Sequence, residues 1–197
     1  MTKAARMALR GCACAAVLVF PLLRGDEAPL RLDAATSKVE FTLVATLHTV
    51  HGEFRLKEGT LRFDPSTGRV SGQVTVDARS GQSGNASRDH RMHQEILETE
   101  RYPEIVFRPD RVEGTISVGA VSQVGLHGVF AIHGGEHEVT VPAEVRASGG
   151  DYDVTAHFDV PYVKWGIKNP STFVLRVGET VQIAIHTVAR PWRAGAD

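Results

Sequence analysis

Apolar and polar residues alternate along most of the chain after residue 30. In the first run, residues 39–48, the apolar residues Val39, Phe41, Leu43, Ala45 and Leu47 alternate with polar residues such as Glu40, Thr42, Thr46 and His48. The same period of two returns in residues 70–78, 124–132, 139–147, 154–160 and 181–185. Successive side chains of a strand point to opposite faces, so each run predicts a β-strand with one buried and one exposed face.

Short turn sequences separate these runs. Residues 64–68, 133–136 and 148–151 contain Gly, Asp or Ser at the positions where hairpin loops need them. Consecutive strands joined by short loops form an antiparallel sheet. Because one face of every strand is apolar, the sheet must bury that face, and closing into a barrel does so while removing exposed edges. The pattern therefore predicts an all-β protein, an antiparallel β-barrel of about eight strands.

One segment, residues 84–99, breaks the period of two. Met92, Ile96 and Thr99 recur at helical spacing and form one stripe. Ser87 is placed to cap the helix at its N-terminus, and Asp89 lies in the first turn, where a carboxylate complements the helix dipole. We predict a short helix near one opening of the barrel, with its apolar stripe towards the interior.

The first 28 residues have the features of an export signal. Lys3, Arg6 and Arg10 precede an apolar run over residues 12–23, which is shorter than the about 20 residues that a spanning helix needs. We expect a signal peptide over residues 1–28 and a periplasmic or secreted product, with an uncleaved N-terminal anchor as the alternative. Cys12 and Cys14, the two cysteines of the chain, both lie in this segment, so the remainder can form no disulfide.

Length and charge limit the function further. The chain of 197 residues suits one domain, which we expect over residues 29–189, followed by a flexible tail over residues 190–197. The formal net charge is −1, and no run of Lys or Arg occurs. Such a chain lacks the positive field that nucleic-acid backbones need, so we expect no nucleic acid among its partners.

The nine histidines raise the question of a metal site. His90 and His93 are three residues apart on the predicted helix and share one face, which supplies half of a zinc or iron site. His48 and Glu95 are candidates for a third ligand, without any diagnostic spacing. We therefore expect imidazoles at a barrel rim, no metal and no cofactor. A metal-assisted enzyme acting on an amphiphilic lipid is the alternative.

Several short motifs extend over nearly the whole chain after the leader. They comprise residues 37–41, 51–54, 59–65, 77–80, 84–92, 102–107, 127–128 and 177–183. Each is weak alone, but their order, with strand lengths between them, is similar to the YceI-like, polyisoprenoid-binding family. Residues 168–173 depart from this resemblance, because they are longer and more apolar than the Gly-rich connection expected there, which bears on the shape of that end of the barrel.

The resemblance implies an exported, non-catalytic, lipocalin-like barrel that holds a long isoprenoid chain, such as a quinone tail or a polyprenyl lipid. It implies transport or storage of that lipid, and hence transient contact with a membrane. Arg88 and His90 become candidates to bind the head group, with an Arg88–Asp89 ion pair as the structural alternative. The residues expected to line the interior are Phe41, Leu43, Phe54, Phe63, Val74, Val76, Met92, Ile96, Phe107, Leu126, Phe130, Val141, Phe158, Trp165 and Ile183.

Two features leave alternatives open. Small residues on the apolar stripes favour an open interior, namely Ala45, Gly72, Ala78, Gly128, Ala143 and Ala156. A barrel of about eight strands can nevertheless be filled by its own side chains, or serve as a scaffold for a protein partner. Trp165 can also be a plug packed under a loop instead of a surface on which a ligand stacks.

Overall fold

The computed structural model describes residues 29–173 and 175–192. The predicted signal peptide, residues 1–28, lies outside the described residues, as do residues 193–197 of the predicted tail. The described elements are β1 (Pro29–Leu32), β2 (Lys38–Val44), β3 (Thr49–Phe63), β4 (Val70–Gln82), helix α1 (Ala86–Arg91) with a π-helical turn (Met92–Ile96), β5 (Glu104–Glu113), β6 (Val121–Ile132), β7 (Gly135–Ser148), β8 (Asp151–Val160) and β9 (Val181–Pro191).

The strands close into an antiparallel barrel. Strands β3, β2, β9, β8, β7, β6, β5 and β4 follow one another around the ring, and β4 pairs with β3 to close it. The short β1 continues the position of β2, because both pair with β3 and β9. The nine strands therefore fill eight positions. The predicted all-β, lipocalin-like barrel is confirmed, and closure leaves no free edge along most of the wall.

Two tight hairpins set the register of β6, β7 and β8. His133 and Gly134 join β6 to β7 with φ angles of 51° and 77°. Gly149 and Gly150 join β7 to β8 with φ angles of 60° and 94°. Positive φ at both loop positions gives the turn whose twist matches that of the flanking strands. These hairpins lie at two of the turns predicted from the sequence.

Strand β4 bulges where the helical segment crosses it. Arg55 lies opposite Asp77, whereas Glu53 lies opposite Gln82, so residues 78–81 face the single residue Phe54. The backbone N–H of Arg55 donates to Ser80 Oγ (2.7 Å) where a regular ladder would offer a carbonyl. Glycine is needed at position 81, because a Cβ there would collide with the Phe54 ring. The bulge lets the helix lie close against the barrel.

The helix starts at a different cap from the one predicted. Asn85 is the N-cap residue, and its side-chain oxygen accepts a hydrogen bond from the backbone N–H of Arg88 (3.0 Å). The prediction of Ser87 was wrong, because both residue types can cap and the pattern alone does not decide between positions two apart. Helix α1 and the π-helical turn end at Ile96, three residues before the predicted end.

The helix lies at the end of the barrel where the β2–β3, β6–β7 and β8–β9 loops also lie, which we call the mouth end; the opposite end is the far end. At the far end, β9 continues two residues past the expected domain boundary: Arg190 and Pro191 pair with Arg31 and Leu30. No helix within the described ranges is long and apolar enough to cross a membrane.

Candidate functional site

An apolar cavity occupies the mouth end of the barrel interior, with a volume of about 140 Å³. Its walls are inward-facing side chains of the strands, and its roof comes from the helical segment and the β8–β9 loop. The lining residues are Val39, Phe41, Leu43, Phe54, Val76, Met92, Ile96, Leu97, Ile105, Phe130, Ile132, Phe158, Val160, Tyr162, Ile167, Pro170, Val181, Ile183 and Ile185. This cavity has the chemistry of a hydrocarbon-binding site.

A second apolar cavity of about 160 Å³ fills the far end. The two cavities share Val76, Ile105, Phe130, Phe158 and Ile185. The Phe130 and Phe158 rings lie edge to face, with centroids 6.0 Å apart, at this common boundary. The interior is therefore one apolar column divided near its middle by a partition of side chains.

Fourteen of the fifteen residues expected to line the interior border one of these cavities. Those at the mouth end are Phe41, Leu43, Phe54, Met92, Ile96 and Ile183, and those at the far end are Phe63, Val74, Phe107, Leu126 and Val141. Val76, Phe130 and Phe158 border both. Trp165 borders neither cavity. The period of two thus places almost all of these side chains on the inner face.

Other lining residues escaped the sequence reasoning. Val160 and Ile185 end alternating runs of the sequence and share the inward face with Phe158 and Ile183, but they were not among the expected lining residues. Ile105 shares the inward face of β5 with Phe107. Tyr162, Ile167 and Pro170 lie in the β8–β9 loop, where no period exists. The roof of the cavity is therefore the part of the lining that the sequence pattern does not predict.

The helical segment is fastened over the mouth end by His93. Its Nε2 lies 2.9 Å from the carbonyl oxygen of Gly81, and its Nδ1 lies 3.3 Å from Thr99 Oγ1. On the outer side, Lys168 Nζ donates to Glu95 Oε2 (3.0 Å), which joins the helical segment to the β8–β9 loop. The Lys168 ammonium lowers the pKa of the Glu95 carboxyl. The roof is thus tied to β4 and across to the loop.

The residues considered as metal ligands on the helical segment make other contacts. Both ring nitrogens of His93 make the contacts just described, and His90 is exposed. Across residues 29–173 and 175–192, no group of three or more His, Cys, Asp or Glu side chains converges as metal ligands do. The candidate third ligand Glu95 bonds Lys168 instead.

Arg88 and Asp89 meet through a third residue. Arg88 donates from Nε to Ser83 Oγ (2.7 Å) and from Nη2 to the Ser83 carbonyl oxygen (2.8 Å). Asp89 Oδ1 accepts from the Ser83 backbone N–H (2.9 Å) and from its hydroxyl. The expected direct ion pair is replaced by this bridge, since both side chains reach the loop before the helix. Neither Arg88 nor His90 borders an interior cavity.

The β8–β9 loop is held at its base by Tyr162. The buried hydroxyl donates to the carbonyl oxygen of Gly178 (2.6 Å), and burial raises the pKa of Tyr162 to about 12. Further along, Asn169 Nδ2 donates to the carbonyl oxygen of Val177 (3.3 Å). These bonds draw the two arms of the loop together over the mouth end, which brings Pro170 into the cavity lining.

The barrel wall is split between β7 and β8 towards the mouth end. Pairing of these strands stops at Ala143 and Ala156. In the hairpin closed by Ser148 and Asp151, every second residue of β7, counted back from Ser148, points its backbone N–H and C=O groups towards β8. Pro142 is the first of these residues beyond the paired part of the strands. Proline has no N–H to donate, so the ladder ends there.

The resulting opening, which we call the slot, lies between residues 139–142 of β7 and 157–159 of β8. It is part of a groove of about 730 Å³ that also borders Thr42, Gln182 and Ala184. Trp165 stands in it, stacked on His137 with ring centroids 4.1 Å apart and 5.7 Å from the Phe130 ring. Trp165 thus closes a gap in the wall and does not line the interior cavities. The alternative of a packed plug describes its position.

Comparison with protein families places this architecture among known ones. The model of the YceI-like domain matches residues 30–189, which is the whole barrel up to the last residues of β9. The chain belongs to the YceI-like family. This YceI-like domain therefore includes all the residues that line the two cavities.

Solved structures share the fold. BcnA of Burkholderia cenocepacia is 21% identical, with a TM-score of 0.67 over 80% of this chain and 98% of its own. A polyisoprenoid-binding domain from Saccharophagus degradans, implicated in plant cell wall breakdown, is 16% identical, with a TM-score of 0.66 over 84% and 99%. The YCEI protein of Campylobacter jejuni is 17% identical, with a TM-score of 0.58 over 75% and 88%. A comparison with curated protein sequences gave no match.

Proposed function

We propose that this YceI-like protein is a non-catalytic binding protein that holds the chain of an isoprenoid lipid in its barrel, for transport or storage. The observation that supports this function most strongly is that two apolar cavities lie next to each other along the interior of a closed barrel. The family match and the similarity to a polyisoprenoid-binding domain support the same ligand class. A quinone tail or a polyprenyl lipid has the required chemistry.

The driving force is burial of the hydrocarbon chain. Removing one five-carbon isoprene unit from water is worth roughly 3 to 4 kcal/mol, at about 0.8 kcal/mol per CH₂ group. A few units therefore exceed the cost of association, which is about 4 to 15 kcal/mol. No polar recognition of the chain is needed, so the binding residues can be the apolar side chains that line both cavities.

Cavity size sets how the chain would lie. A protein cavity of about 150 Å³ holds one benzene molecule, so each cavity matches a fragment close to one isoprene unit. A long chain must cross the boundary between the two cavities, where the Phe130 and Phe158 rings meet edge to face. We infer that these two rings rotate apart when a long chain is bound, which lengthens the apolar column.

The head group would then remain at the mouth end, near the helix. Arg88 uses Nε and one Nη for its bonds to Ser83, which leaves further N–H groups of the guanidinium for an acceptor on a head group. His90, two residues further along the helix, is exposed. We retain Arg88 and His90 as head-group ligands on this ground, with Ser83 as the residue that positions Arg88.

The experiment is to extract lipid from protein purified without detergent and to identify it by mass spectrometry. The proposal expects one isoprenoid per protein molecule, and protein free of lipid or carrying only bulk phospholipid would contradict it. We also propose export, on the pattern of residues 1–28. N-terminal sequencing of the same preparation, taken from the exported fraction, should start between residues 25 and 30; an intact Met1 would contradict cleavage.

A further inference from the structure

Three large apolar side chains are exposed at the mouth end. Phe173 is 98% exposed, Leu47 is 76% exposed and Val44 is 58% exposed. Phe173 lies in the β8–β9 loop, Val44 is the last residue of β2, and Leu47 lies in the β2–β3 loop. Covering exposed apolar groups of this size with an apolar medium lowers the free energy of the system.

The two loops form a single surface. The backbone N–H of Thr46 donates to the carbonyl oxygen of Arg176 (2.9 Å), and the N–H of Gly178 donates to that of Val44 (2.8 Å). A turn closed by the Thr172 N–H and the Leu175 carbonyl oxygen (2.8 Å) holds Phe173 at its tip. We call the surface made by Val44, Leu47 and Phe173 the apolar tip.

The apolar tip adjoins the mouth-end cavity. Leu43, the residue before Val44, lines that cavity, and so does Pro170, three residues before Phe173. Tyr162, another lining residue, bonds Gly178 at the base of the same loop. An apolar medium in contact with the tip would therefore lie next to the roof of the cavity.

The two loops that form the tip carry more positive than negative charge. The β8–β9 loop contains the exposed cations Lys164, Lys168 and Arg176 and one acidic residue, Glu179. Lys168 also pairs with Glu95 of the helical segment. The β2–β3 loop has no Asp, Glu, Lys or Arg. The positive charge of these loops contrasts with the net charge of −1 for the whole chain, and it suits contact with anionic head groups.

We propose that the apolar tip inserts into the surface of a lipid bilayer, with Lys164, Lys168 and Arg176 at the level of anionic head groups. The mouth end then faces the membrane from which the isoprenoid passes into the barrel. This inference rests on the proposed lipid-binding function. A bilayer fits better than a protein partner because the side chains project singly from two loop tips beside the cavity that takes the lipid.

The experiment is flotation of the protein with vesicles of phosphatidylcholine, alone or mixed with phosphatidylglycerol. The double variant Leu47→Ser and Phe173→Ser should bind the mixed vesicles at least roughly tenfold more weakly than the wild type, since two large apolar groups are lost. Val118→Ser is the matched control, because Val118 is 84% exposed but lies in the β5–β6 loop at the far end. It should bind as the wild type does.

Three results would overturn this inference: a wild type that ignores both vesicles, a double variant that binds like the wild type, or equal loss in Val118→Ser. Self-association of the wild type that the double variant abolishes, without vesicle binding, would assign the tip to a second copy of the chain. Lipid content is measured separately. Wild type that carries isoprenoid but ignores vesicles overturns only the membrane contact, whereas wild type that binds vesicles without carrying isoprenoid overturns the proposed function and supports the tip.

Discussion

Tyr162 shows how one side chain connects packing with access to the cavity. Its ring borders the mouth-end cavity, and its hydroxyl holds the β8–β9 loop through the carbonyl oxygen of Gly178. Burial raises its pKa from 10.0 to about 12, so the folded protein keeps the phenol proton that the unfolded chain loses. The stability contributed in this way is complete below pH 10 and is lost as the pH rises towards 12.

We predict that Tyr162→Phe lowers the free energy of unfolding by about 1 kcal/mol at neutral pH, because one buried hydrogen bond is removed. Between pH 10 and pH 12, the stability of the variant should also fall less than that of the wild type. Chemical denaturation over a pH series measures both effects. Tyr152→Phe, in the far-end cavity, is the control; an equal change in that variant would contradict the role given to Tyr162.

Arg88 and His93 illustrate what residue identity alone does not reveal. The sequence indicates that both lie near an opening, but it does not show that Ser83 bridges Arg88 to Asp89 or that Gly81 accepts from His93. Such contacts depend on the bulge in β4, which brings the strand under the helix. They are set by tertiary structure and have no local signature.

At the scale of elements, the slot between β7 and β8 interrupts the barrel wall. Pro142 ends the ladder, and Trp165 covers the gap that follows. Inner-face residues of both strands, Val141 and Phe158, are among those that border the slot. The slot is therefore a second place, besides the mouth end, where the interior column comes close to solvent.

We predict that Trp165→Ala speeds the transfer of bound lipid to acceptor vesicles by roughly tenfold or more. Its stability should fall by about 2 to 3 kcal/mol, less than for a fully buried Trp, because the side chain is half-buried. Transfer is measured by extracting and quantifying lipid after separation from the vesicles. The control is Trp192→Ala, outside the interior and 44% exposed; equal acceleration in both variants would show that Trp165 does not close the wall.

Strands were the most predictable elements, for a physical reason. A barrel buries one face of every strand, so the period of two appears in most of the strands, as in Val39, Phe41 and Leu43. The first alternating run extends too far, because β2 ends at Val44 and Leu47 is exposed. Hairpin turns can be recognised from glycines such as Gly149 and Gly150, which adopt positive φ angles. The helix cap and the β8–β9 loop were less predictable, because several residues can cap and an irregular loop has no period.

For the whole molecule, closure explains both the fold and the cavity. The sheet joins β4 to β3, so the apolar faces of all strands converge on one axis. That convergence is why the twelve expected lining residues that lie on strands all border a cavity. The pattern could not predict that the column is divided at Phe130 and Phe158, since this depends on side-chain packing across the barrel.

Placing a charge inside the barrel tests most directly whether the interior binds the lipid chain. Leu43 lines the mouth-end cavity, while Thr42 on the same strand bonds His51 on the outer face (3.0 Å). A carboxylate in the path of the chain needs water or a raised pKa, and either opposes a dry hydrocarbon. Phe158→Glu and the exposed neighbour His157→Glu repeat the comparison on β8.

The measurement is the amount of isoprenoid that co-purifies with Leu43→Glu and with Thr42→Glu, each first shown to be folded by near-ultraviolet circular dichroism. We expect that Leu43→Glu remains folded and loses at least nine tenths of the lipid, which is roughly a tenfold loss or about 1.4 kcal/mol, while Thr42→Glu keeps it. A folded Leu43→Glu protein that still carries the lipid in full would contradict the claim that the barrel interior is the binding site.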